Sequence, residues 1–121
     1  MTSGADYNIL EAKQAKRDGA TLVANSGRGQ RKGDARTDEL LIDYKFTEKA
    51  SYSLGVKAYQ AFKKQAYADG DRQPVVVALY TEHGEEVAMV DWQYLRDLIE
   101  ERDELLAERN ELAWMMEGLQ K

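Results

Sequence analysis

The segment Leu40–Thr47 most constrains what this chain can fold into. Leu40, Ile42, Tyr44 and Phe46 take one parity; Leu41, Asp43, Lys45 and Thr47 take the other. A period of two is that of a β-strand. The pattern also sets Asp43 and Lys45 on one face of an otherwise apolar strand. Charge is costly there unless it has a partner or a use. A second strand is equally plain. Pro74 opens Val75–Thr81, an almost continuous apolar run expected to lie centrally in a sheet. Between the two, Tyr59, Phe62 and Ala66 form the apolar stripe of a helix. Ser51 or Ser53 can cap it, and it ends near Asp69-Gly70.

The remaining segments complete an order α-β-β-β-α-β-β-α. Asp6 can cap a first helix running to about Asp18, with Gly19 as its stop. Thr21–Ala24 is a short strand candidate, and Asn25–Lys32 is a glycine-rich basic loop. Gly33–Arg36 and Glu39–Thr47 read as two strands around a turn at Thr37-Asp38. Glu82–Glu85 is a hairpin turn, Glu86–Val90 a fifth strand, and Asp91 the cap of a last helix reaching about Leu119.

Composition removes several function classes. The 121 residues include no cysteine, so disulfide frameworks and thiolate zinc sites are excluded. No signal peptide or membrane span is evident, and an intracellular, cytoplasmic protein is expected. The net charge of -5 argues at first against a nucleic-acid partner. Its distribution reverses that. Residues 1–81 hold 13 Lys and Arg against 10 Asp and Glu, whereas residues 82–121 hold 4 against 12. A phosphate-bearing partner would meet the basic body and be repelled by the acidic tail.

With a two-residue turn at Thr37-Asp38, Asp34 falls opposite Leu41, and Asp43 is its diagonal neighbour on the same face. Diagonal neighbours lie roughly 7–8 Å apart, so two carboxylates could lean over one cation. Lys45 shares that face. Magnesium takes hard oxygen ligands and keeps waters and substrate phosphate in its other positions. Asp34, Asp43 and the main-chain carbonyl of Tyr44 would leave such positions open. Manganese is a plausible substitute. Lys45, beside two carboxylates, should stay protonated and act as a positive clamp on a phosphate. The bland alternative is that Asp43-x-Lys45 marks a solvated face. The glycine-acid pair upstream and the basic loop before it weigh against that.

These residues resemble the PD-(D/E)xK nuclease superfamily, and within it the Holliday-junction resolvases of archaeal and phage type. The likeness covers residues 6–81, about two thirds of the chain. Glu11 lies on the first helix, Ser26-Gly27 follows the first strand, Asp34 opens the second, and Asp43-Tyr44-Lys45 ends the third. The resemblance implies a restriction-endonuclease-like αβββαβ core, a mixed central sheet flanked by helices, here with an extra strand and a long C-terminal helix. It implies Asp34 and Asp43 as metal ligands and Lys45 as the catalytic lysine. Glu11 would be an accessory acid reaching the metal through water, and Ser26 would sit on a loop touching the cleaved strand. Three departures stand out. Gly33 replaces the proline of the motif name, Asp43 is the shorter acid, and the loop before Asp34 is strongly basic.

The expected activity is therefore magnesium-dependent cleavage of branched DNA at residues 1–91, in recombination or repair. A restriction-like or end-processing nuclease is the alternative within the same fold, and a non-catalytic DNA-binding adaptor the alternative outside it. Arg28, Arg31, Lys32 and Arg36 cluster around glycines, and Arg17 and Lys49 extend the positive surface, with Lys13, Lys16 and Lys57 nearby. No Gly-Lys-Ser/Thr follows the loop, so a nucleotide cofactor is not expected. Gln60 has no assigned role, and His83, in a turn, reads as solvated.

Residues 92–121 carry a different signal. Leu98, Leu105, Leu112 and Leu119 recur every seven residues, with Ile99, Leu106 and Ala113 beside them and Leu95 and Met116 broadening the stripe. A coiled coil is expected, and with it a homodimer. Arg102 and Arg109 intrude on the seam, against a strict parallel zipper.

Overall fold

The computed structural model describes residues 4–23 and 34–119. They divide into two compact units, residues 1–89 and 90–121. The elements are α1 (Gly4–Arg17), β1 (Thr21–Leu22), β2 (Asp34–Arg36), β3 (Leu40–Thr47), α2 (Val56–Ala68), β4 (Gln73–Tyr80), β5 (Glu85–Val90) and α3 (Trp92–Leu119). The five strands form one mixed sheet in the order β1-β2-β3-β4-β5. β1, β2 and β3 are antiparallel neighbours, and β3 and β4 are parallel.

β3 holds the centre because it is the strand with two apolar-compatible faces. On one, Leu41 and Val76 pack with Phe62 and Ala66 of α2, and Val23, Tyr52, Leu54 and Met89 close around them. On the other, Tyr44 reaches the end of α1, and Leu10 and Gln14 line a groove with Phe46 and Leu79. α1 and α2 therefore cover opposite faces of the sheet. The β3-α2-β4 unit explains the parallel pair, since a crossover helix is what joins parallel neighbours. Phe62→Ala would remove the largest side chain that α2 contributes to this core, at a cost of about 3–5 kcal/mol.

Several boundaries differ from the sequence expectation. α1 begins at Gly4, so Asp6 lies inside it rather than capping it. Its exit is as expected: Gly19 takes φ +69 and Ala20 N–H bonds back to the Ala15 carbonyl at 2.8 Å. α2 starts at Val56 with Gly55 as the N-cap and no side-chain cap bond, so neither Ser51 nor Ser53 caps it. β4 is internal but one place off centre, between β3 and β5. The turn between β2 and β3 sits one residue later than expected, at Asp38-Glu39. Thr37 sets it: its N–H donates to the Leu40 carbonyl at 2.9 Å, and its Oγ1 accepts from the N–H groups of Glu39 and Leu40 at 3.2 and 3.0 Å.

α3 is a single helix of 28 residues, none of them buried. Asp91 caps it as expected, its Oδ1 accepting the Tyr94 N–H at 3.2 Å. No helix among the described residues is long and apolar enough to cross a membrane.

Candidate metal and phosphate site

The later turn brings the two carboxylate positions closer together than a turn at Thr37-Asp38 would. Asp34 is the direct Cα partner of Asp43, not its diagonal neighbour. The shift of two residues in register preserves parity, so position 34 stays on the face of positions 41, 43 and 45. A clamp outside the site holds this register. Arg72 Nε donates to the Thr37 carbonyl at 2.7 Å and Arg36 Nη1 meets Asp69 Oδ1 at 2.8 Å, tying the β2–β3 turn to the exit of α2. Arg72 Nη1 also donates to the Asp69 carbonyl.

Asp43 occupies a half-prepared position. Its side chain is 14% exposed, and Lys45 Nζ lies 3.1 Å from its Oδ2. Its Oδ1 is fully buried and accepts no hydrogen bond from the described residues. Desolvation by burial raises the Asp43 pKa from the ordinary carboxylate value, and the Lys45 charge only partly offsets this. A carboxylate oxygen in this condition carries an unmet electrostatic demand. A divalent cation would satisfy it, so the donor chemistry at Asp43 fits a hard metal ion.

Around this pair the other candidate residues distribute unevenly. Glu11 is 5% exposed. It lies on the buried line of α1 with Ala15, about two turns before Asp18, on the helix that covers the Tyr44 face. Ser26, Arg28, Arg31 and Lys32 lie outside the described residues. Lys49 is exposed in the segment after β3, as are Lys13 and Lys16 on α1 and Lys57 and Gln60 on α2. His83 is exposed in the β4–β5 turn. Among the described residues no three His, Cys, Asp or Glu side chains converge as a metal-binding group.

Two arginines expected at a DNA surface are engaged by the scaffold. Arg17 Nη1 meets both Glu86 carboxylate oxygens at 2.7 and 2.8 Å, and its Nε meets Asp18 Oδ1 at 2.9 Å. Arg36 pairs with Asp69 as above. Sequence reasoning also missed the partner of Tyr44. Its hydroxyl donates to Asp18 Oδ2 at 2.7 Å. Burial and this bond push the phenol above its ordinary pKa. Burial works to raise the Asp18 pKa too, but the hydrogen bonds from Arg17 and Tyr44 outweigh it and hold the carboxyl below its ordinary value. Only the polar hydroxyl on an otherwise apolar strand parity hinted at such a partner.

No protein-family model matches the chain, and neither the characterised proteins nor the solved structures compared with it give a match.

Proposed function

We propose that this chain is a metal-dependent endodeoxyribonuclease of the PD-(D/E)xK type, acting on branched DNA in the manner of a Holliday-junction resolvase. The observation that carries the reading is the buried Oδ1 of Asp43, which accepts no hydrogen bond from the described residues, beside Lys45 and directly opposite the backbone of Asp34. The element order supports it. An α-β-β-β-α-β run with its acid-x-lysine on the central strand is the layout that the resemblance implies.

In this reading Asp43 and Asp34 hold the cation, with the Tyr44 main-chain carbonyl contributing; Glu11, on the helix that covers the opposite face of the sheet, is not brought to it. Magnesium, or manganese in its place, would polarise the scissile phosphate and lower the pKa of an attacking water. Lys45 is held by Asp43 and remains 44% exposed. It can therefore offer positive charge to a phosphate oxygen where negative charge develops. Lys49 and the basic residues between Ser26 and Arg36 would grip the sugar-phosphate backbone. A four-way junction needs two symmetric cuts, which favours a two-fold pair of chains.

The test compares four-way junction, linear duplex and single-stranded DNA, each with magnesium and with EDTA. Paired symmetric nicks confined to the junction, abolished by EDTA, Asp43→Asn and Lys45→Ala, are expected. Digestion of linear duplex would move the reading to a restriction-like or end-processing nuclease. Binding without cleavage in every arm would overturn it.

A further inference from the structure

α3 raises a question that the nuclease site leaves open. None of its residues is buried, and Leu95, Leu98, Ile99, Leu105, Leu106, Leu112 and Met116 are between 36% and 62% exposed. At heptad spacing these side chains fall in three adjacent columns. Leu98, Leu105, Leu112 and Leu119 form one flank; Ile99, Leu106 and Ala113 form the other. The column between them reads Leu95, Arg102, Arg109, Met116. Two arginines thus stand at the centre of an apolar stripe. Whichever flank is taken with it as the seam, the arginine column is part of that seam.

We infer that α3 binds the α3 of a second copy in antiparallel orientation, centred near Ala107. This rests on the two-chain reading above and adds its geometry. In a parallel, in-register pair Arg102 would face Arg102 of the second copy, and Arg109 its own counterpart. Two layers of like charge would meet inside the seam, each unfavourable and desolvated. Reversing one helix removes both. Arg102 then lies level with Leu112 of the second copy, Arg109 with Leu105, Leu95 with Leu119, and Met116 with Leu98. The methylene stem of each arginine covers a leucine while its guanidinium reaches the edge of the seam. With a rise of about 1.5 Å per residue, Glu108 of the second copy lies within about 6 Å along the axis of both arginines. Glu101 of the second copy lies as close to Arg109. In this structure Arg102 spends its charge on the adjacent Asp103 at 2.9 Å, an exposed pair that yields readily. Leu106 falls beside its own counterpart, and Ile99 near Ala113, so the second flank is apolar on both sides.

The chain has no cysteine, which makes the orientation directly measurable on the full-length protein. Gln93→Cys and Asn110→Cys are each spin-labelled, and label separations are read by pulsed dipolar spectroscopy alongside molar mass by sedimentation. Antiparallel pairing gives a dimer with a long separation at position 93, about 42 Å along the helix axis, and a short one at 110, about 9 Å along it. Short separations at both positions would overturn the orientation while leaving the dimer. A monomer at all concentrations would overturn the pairing itself. Neither outcome depends on DNA cleavage, so the nuclease reading stands or falls separately. Leu105→Glu should convert the dimer to monomer, and a dimer that survives it would also count against this seam.

Discussion

Asp43 and Tyr44 are neighbours on one strand, yet the chain treats them in opposite ways. Tyr44 is 3% exposed, and its hydroxyl is bonded to an Asp18 that Arg17 in turn secures. Every link in that chain is met, so it works as structure. Asp43, on the other face, is 14% exposed and keeps one buried oxygen that accepts no hydrogen bond from the described residues. The difference separates a polar group that holds the fold from one that, in the proposed reading, receives a cation. A buried group whose bonds are complete stabilises. One left incomplete beside an exposed lysine costs stability, and a cation bound there would offset that cost.

Substitution should break the symmetry most sharply in activity. Lys45→Ala should lower the rate of magnesium-dependent junction cleavage by about 10²–10³-fold, as loss of one preorganised charge does. Asp43→Asn should lower it at least as far, without lowering the unfolding midpoint. Tyr44→Phe should do the reverse. It deletes a hydrogen bond to a charged acceptor and should cost about 1.5–3 kcal/mol in denaturant unfolding, with cleavage unchanged.

The two faces should also respond oppositely to pH. The Asp43 carboxyl has a raised pKa in the fold, so the folded state binds the extra proton. Its contribution to stability therefore falls as pH rises through the raised value. The Asp18 carboxyl has a lowered pKa. Its contribution is present above the ordinary carboxylate value and is lost as pH falls through the folded one. Unfolding of Asp43→Asn and Asp18→Asn against the parent, between acid and neutral pH, should give difference curves of opposite slope. The smallest effect should come from Arg17→Ala. Its side chain is 50% exposed, so the loss should stay below about 1 kcal/mol, and DNA affinity should change little because the scaffold already holds this guanidinium.

Much of this architecture was legible because it rests on periodicity. The alternation at Leu40–Thr47 and the apolar run after Pro74 placed β3 and β4, and Gly19 and Asp91 marked helix ends by local chemistry. The first and second helix starts were misplaced for a shared reason. Asp6, Ser51 and Ser53 are good capping types, but capping supplies only about 1 kcal/mol, which packing of the helix body readily overrides. The β2–β3 register was missed by one turn position, since Thr37 works as the turn's hydrogen-bonding residue rather than at its tip. Its parity survived, and with it the common face of positions 34, 43 and 45. The engagement of Arg17 and Arg36 could not be read from sequence. Glu86 and Asp69 are 69 and 33 residues away from them, and no local pattern links such pairs.

The central claim is that Asp43 keeps an oxygen free for a divalent cation. Thermal unfolding of the parent chain and of Asp43→Asn, with and without magnesium at neutral pH and constant ionic strength, tests it without any substrate. The parent should gain stability with magnesium, by about 2.7 kcal/mol once the ion exceeds its Kd a hundredfold, and Asp43→Asn should gain none. Equal gains in both proteins, or a gain in neither at saturating magnesium or manganese, would contradict the account.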